Sequence, residues 1–171
     1  EGTLSDRERR TYRLPEGARA LGKARAWLAA LLQMTLPGVP CVYYGDEAGT
    51  EGFEDPFNRR TYPWGHEDRE LVSWFSALGR QRRTSDPLRR GALRWGTCRG
   101  ALLSFARCQD GRSAGVAVNR GQVEMVAGLP WSGQAARDLD TGRRYLAVDG
   151  VLYVKVPPMG VLRLESCPAG K

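Results

Sequence analysis

Residues Pro37–Gly65 read PGVPCVYYGDEAGTEGFEDPFNRRTYPWG. The stretch opens as a continuous apolar run, Val39 to Tyr44, and turns at Gly45 into a long loop of glycines, acids, arginines and aromatics. A short apolar run without polar alternation, bounded by Gly and Pro, is expected to be a strand buried on both faces, as in a parallel sheet. The 20 or so irregular residues behind it are too many for an ordinary connection, and loops of that length in compact domains are usually functional. The pattern therefore describes a buried strand that delivers a binding loop.

The segments on either side fit that frame. Ala18 to Leu36 is helical in pattern, with Leu21, Ala24, Leu28, Leu31 and Leu32 at spacings of three and four. Pro37 and Gly38 stop it. Helix, short loop and buried strand make half of a βαβ unit. A second helix is expected from Glu67 to Arg83, with Glu67, Asp68 and Glu70 in its first turn and Arg80, Arg82 and Arg83 in its last. That order complements the helix dipole. Leu71, Trp74, Phe75 and Leu78 form its apolar face. Residues 1 to 17 read as loop. From Ala92 the texture changes to short β-type runs (ALRWGTC, ALLSFARC, AGVAVN, VEMVAGL, RYLAV, VLYVKV, VLRLE) separated by turn signals, as in an antiparallel sandwich. The expected organisation is two domains, residues 1–84 and 85–171.

Bulk properties exclude some classes. The chain has 171 residues, 42% hydrophobic and 26% charged, which is an ordinary globular composition. No apolar run approaches the ~18 residues of a membrane span, and the polar N-terminus, EGTLSDRERR, carries no signal-type apolar region. No membrane partner and a cytoplasmic location are the expectations. The net charge of +7 raises nucleic acid as a partner. The arginines are scattered in RERR, GRQRR, LRR and GRR near turns and helix ends, and no nucleic-acid motif accompanies them, so no nucleic-acid partner is expected. Four cysteines without a CxxC pair, and His66 as the one histidine, speak against a zinc site. No metal or cofactor is expected. Cys41 reads as a buried small hydrophobe, Cys98 and Cys108 as flanking a hairpin where they could face each other, and the set as reduced thiols.

The chemistry concentrates in the loop. Carboxylates and guanidinium groups hydrogen-bond hydroxyls, and aromatic faces cover the apolar side of a pyranose ring. Asp55 and Arg59, four apart with Pro56 between them, fit either a ligand clamp or a mutual surface ion pair worth ~0–1 kcal/mol. Tyr62 and Trp64 fit either stacking on substrate or packing under the loop. Asp46 and Glu47 are adjacent and point to opposite sides of an extended chain, a poor fit to the facing carboxylates of a glycosidase, which stand ~5–9.5 Å apart. Asp46 is expected to brace the loop, and His66 to start a helix. One histidine so placed supports no Ser-His-Asp arrangement.

LLQMTLPGVPCVYYGDEAGTEGFEDPFNRRTYPWG, residues 31 to 65, resembles the α-amylase family of glycoside hydrolases, glycoside hydrolase family 13, and within it the neopullulanase, cyclomaltodextrinase and maltogenic amylase subgroup. The resemblance implies the C-terminal part of a (β/α)8 TIM barrel, holding its last strand and two helices, followed by an antiparallel β-sandwich domain. It implies a retaining hydrolase of α-1,4 or α-1,6 glucosidic bonds in maltodextrins, starch or cyclodextrins, with an α-glucan oligosaccharide as partner. The family's DP-x-x-R loop grips the donor-side glucose, which points to Asp55 and Arg59, with Trp64 closing the same motif. The family's nucleophile, acid/base and third carboxylate lie in motifs absent from these residues, so no residue here is assigned as catalytic and the chain alone is expected to be inactive. A transglycosylase of the same family and a non-catalytic carbohydrate-binding module are the alternatives. A lone barrel strand would have two unpaired edges, so protease is expected to remove the first ~85 residues before the rest.

Overall fold

The structure is a computed structural model describing residues 4–168. Its elements run α1 (Asp6–Thr11), α2 (Glu16–Thr35), α3 (Arg69–Thr84), α4 (Asp86–Arg90), β1 (Ala92–Arg99), β2 (Leu102–Gln109), β3 (Arg112–Asn119), β4 (Met125–Pro130), β5 (Ala135–Asp138), β6 (Arg144–Leu146), β7 (Val151–Val156) and β8 (Gly160–Cys167). No helix among the described residues is long and apolar enough to cross a membrane.

The strands make two sheets, one ordered β1-β2-β3-β8-β5-β6 and one of β4 and β7, with every pairing antiparallel. Successive side chains of a strand point to opposite faces, and here each face of the large sheet has its own core. Leu102, Ala106, Ala117, Leu162 and Leu164 pack against Ala127 and Leu129 of β4 and Leu152, Val154 and Val156 of β7. The alternate residues Phe105, Val116 and Val118 pack against Leu28, Leu31 and Met34 of α2 and Trp74 and Leu78 of α3. The molecule thus has three layers: small sheet, large sheet, helices. Central strands covered on both sides need apolar residues at every position, which is why β2 and β3 read as near-continuous apolar runs.

Two helices and the sandwich agree with the sequence reading. α3 is capped by Asp68, whose carboxylate accepts the N–H groups of Glu70 (3.1 Å) and Leu71 (3.2 Å). Several expectations are corrected. Residues 6–11 are helical, not loop. Ser5 and Glu8 form a capping box there: the Ser5 Oγ accepts the Glu8 N–H, and the Glu8 carboxylate accepts the Ser5 N–H at 2.8 Å. β5 interposes between β8 and β6 where no strand was expected.

The largest correction concerns Val39 to Tyr44, which form no strand. Val39 is 95% exposed and Tyr43 and Tyr44 are 46% exposed. A parallel strand is held by partners on both edges, and no described strand pairs with this segment. Cys41 is accordingly exposed rather than buried. Cys98 and Cys108 do not face each other: Cys98 is registered with Leu103 and Cys108 with Ala92, at opposite ends of the β1–β2 hairpin. All four thiols are free.

Candidate functional site

The loop from Gly45 to Gly65 is built by short-range turns and anchored at a few points. Gly45 opens it with φ +92°, and a Cβ there would lie 2.7 Å from Thr50 Oγ1, so only glycine fits. The Gly45 carbonyl accepts the N–H groups of Ala48 (3.0 Å) and Thr50 (2.9 Å). Glu47 turns back on this bend, its Oε2 accepting the Gly45 N–H at 3.0 Å. Asp68 N–H donates to Ala48 O at 3.0 Å, which ties the bend to the start of α3. Further along, Arg60 reaches the N-terminal segment, donating to Arg9 O at 2.9 Å and Tyr12 O at 3.2 Å. The Tyr44 hydroxyl donates to Arg60 O at 3.0 Å, and Tyr12 meets Phe53 edge-on.

Asp55 and Arg59 are brought together. Arg59 Nε donates to Asp55 Oδ1 at 2.7 Å, and both side chains are mostly open to solvent, 67% and 59% exposed. The sequence left a ligand clamp and an ion pair open; the geometry is an ion pair with both partners facing water. The Asp55–Pro56 bond is cis. Trp64 is an 80% exposed ring, with Tyr62 tilted against it at 4.6 Å between centroids. It is therefore not packed under the loop. His66 precedes α3, donating its backbone N–H to Pro63 O at 2.8 Å.

Behind the loop an open cavity of about 1300 Å³ lies along α2, between Ala20, Ala26 and Ala30 on one side and residues 49–53 on the other. Its charges are largely paired. Lys23 Nζ lies 2.8 Å from Asp68 Oδ2 and 2.5 Å from Glu70 Oε2, and Arg19 Nε lies 2.8 Å from Glu51 Oε1. The hydrogen bonds that the Lys23 ammonium donates to Asp68 and then Glu70 raise it above its ordinary range. Partial desolvation pulls Asp68 upward, but the Lys23 ammonium and the α3 N–H groups outweigh it and hold the carboxyl low. Asp46 is the exception on the cavity wall: desolvation and then the Glu47 carboxylate push it up. With Glu47 bonded to Gly45, the cavity offers, among the described residues, one free carboxyl on this loop, not the facing pair that glycoside hydrolysis uses.

The sequence missed that this cavity wall belongs to α2. The alternation of small residues, Ala20, Ala26 and Ala30, with Lys23 was the available signal. Four buried side-chain atoms among the described residues lack a partner, Thr50 Oγ1, Asn58 Oδ1, Arg60 Nε and Gln109 Oε1, and the first three lie in the loop.

No family model matches the chain. Over 159 residues it is 36% identical to an amylopullulanase of Thermoanaerobacter thermohydrosulfuricus, an alignment covering 84% of this chain and 11% of that one. Over 143 residues it is 35% identical to neopullulanase 2 of Thermoactinomyces vulgaris, covering 80% of this chain and 24% of that one. The crystal structure of an Anoxybacillus α-amylase superposes with a TM-score of 0.78 at 25% identity, over 87% of this chain and 33% of that one. The chain thus spans 11% and 24% of the length of these two curated relatives.

Proposed function

We propose, on the premise that the chain is related to the C-terminal region of α-amylase-family glycoside hydrolases, that it is the C-terminal portion of a retaining enzyme acting on α-glucosidic bonds of maltodextrins, starch or cyclodextrins. In this reading α2, residues 37–66 and α3 belong to the last quarter of a (β/α)8 barrel, and β1 to β8 form the domain behind it. Val39 to Tyr44 becomes a strand only beside neighbouring strands. Asp55 and Arg59 grip the donor-side glucose, with Trp64 as a further substrate-binding residue of the same loop.

One observation carries the reading: the Asp55–Arg59 pair is fixed by its own 2.7 Å hydrogen bond yet open to solvent on both members. A carboxylate and a guanidinium held in this way present preset acceptors and donors to sugar hydroxyls, with little ordering left to do on binding. The unpartnered Thr50, Asn58 and Arg60 atoms support it further. Buried polar groups are normally satisfied, so their concentration in one loop fits a loop completed by further chain or by ligand.

The mechanism in this family's manner requires two carboxyl groups flanking the scissile bond. Glu47 is engaged with Gly45 and Asp46 stands alone, so the chain contributes binding and positioning, and alone it turns over no substrate. The test is the reading frame upstream of the Glu1 codon. The expected result is an N-H-D motif and two further acidic motifs. A start codon close to Glu1 would overturn the enzyme reading in favour of a carbohydrate-binding module. So would release of reducing ends from maltoheptaose by the 171-residue chain overturn its inactivity.

A further inference from the structure

A second groove, of about 600 Å³, lies where α2 and α3 meet β8 and the turn before β6, and no residue of the 45–65 loop lines it. Its base is a stack of planar groups. The Trp27 and Trp74 rings are nearly parallel, 14° apart, with centroids 4.6 Å from each other. The Arg163 guanidinium lies 4.6 Å from the Trp74 centroid. Trp74 is spent in this stack: it is 5% exposed and its indole N–H donates to Trp27 O at 3.2 Å. Arg163 is spent too, bound to the Asp140 carboxylate through Nε at 3.0 Å and reaching Gln81 Oε1 at 3.4 Å.

Trp27 is not. It is half-buried, it lines the groove, and among the described residues its indole N–H has no acceptor. Beside it stand Asp140, a carboxylate fixed by Arg163, and Ser73 and Arg69, both exposed on the first turns of α3. An aromatic surface next to a fixed acceptor and free donors matches one ligand chemistry well: a pyranose, whose C–H face stacks on the ring while its hydroxyls reach the rim. The volume falls within the ~300–1,000 Å³ usual for small-ligand sites.

We propose that this groove is a second, non-catalytic oligosaccharide site, with Trp27 as the stacking platform and Asp140 and Ser73 as hydroxyl partners. The choice of an α-glucan as its ligand rests on the function proposed above. The site would hold a polymer chain at the junction of helices and sandwich, on residues other than Asp55 and Arg59.

The test titrates the 171-residue chain with maltoheptaose, with cellohexaose as control, and follows each tryptophan indole N–H by NMR. The expected result is a maltoheptaose-dependent shift of the Trp27 signal. Trp27→Leu should then weaken binding by about tenfold, equivalent to about 1.4 kcal/mol. Because Trp27 also packs on Trp74, Ser73→Trp is the second variant: it fills the groove from an exposed position and should weaken binding equally with the fold intact. Asp55→Ala should leave the Trp27 shift unchanged. An unshifted Trp27, or native binding by Ser73→Trp, overturns the site. Binding lost in Asp55→Ala alone also overturns it while leaving the α-glucan reading standing. Equal shifts with cellohexaose overturn the α-glucan assignment of the groove.

Discussion

Single residues fix local geometry that the sequence pattern could not reveal. Gly96 sits where the β1–β2 register shifts between Trp95 and Cys98. A Cβ there would collide with the Gly128 carbonyl of β4 and come within 2.6 Å of Ser104 Oγ. The crowding comes largely from backbone, so no side-chain rotation relieves it, and Gly96→Ala should destabilise the chain by about 1–3 kcal/mol in urea unfolding. Lys23 and Asp68 form the second case. Asp68 is held below its ordinary range in the folded chain. Its contribution is therefore present above the unfolded carboxyl value of ~3.9 and fades as pH falls through the lower folded value. Lys23 is raised, so its contribution is present below the ordinary ammonium value of ~10.4 and fades as pH rises through the higher folded one. Lys23→Met should flatten both limbs of the stability–pH curve, and an unchanged acid limb would show that the α3 N–H groups alone hold Asp68 low.

At the scale of elements, the C-terminus of α2 has no basic residue in its own last turn. Two arginines from elsewhere supply what the dipole and the free carbonyls need. Arg82 of α3 donates to Leu36 O at 3.0 Å and Gly38 O at 2.6 Å. Arg107 of β2, 4% exposed, donates to Thr35 O at 3.1 Å and to Gly91 O at 2.9 Å. Burial depresses both guanidinium groups, and the Arg82 charge depresses Arg107 further. Arg107→Ala should cost about 2–3 kcal/mol, because it strands buried carbonyls, and should speed amide exchange in the last turn of α2. Since both arginines serve one helix end, the double variant with Arg82→Ala should depart from additivity; additive losses would separate their roles.

Across the whole molecule, the two long helices, expected from the sequence to be half-buried and trimmed by protease ahead of the strands, pack on the large sheet. Leu28, Leu31, Trp74 and Leu78 share a core with Phe105, Val116 and Val118 of the large sheet. Limited proteolysis should therefore cut first between residues 37 and 66, where the backbone bonds mostly to itself, and not remove residues 1–85 as a unit. A first cut at residues 85–91 would contradict this packing. What the sequence alone determined was everything governed by local periodicity: α3 from its apolar face and charge order, seven of the strand runs, and a loop with Asp55, Arg59 and Trp64. Its Ser5-x-x-Glu8 spacing is also the signal of the capping box that starts α1. It could not determine Val39 to Tyr44, because an apolar run becomes a strand only when other strands bond its edges. It could not place β5, four residues long, whose pairing comes from β8 and β6. Nor could it bring Trp27, Trp74, Asp140 and Arg163 into one groove. Those residues lie on two helices, a turn and a strand, and only the packing of the helix layer on the sheet sets the distances between them.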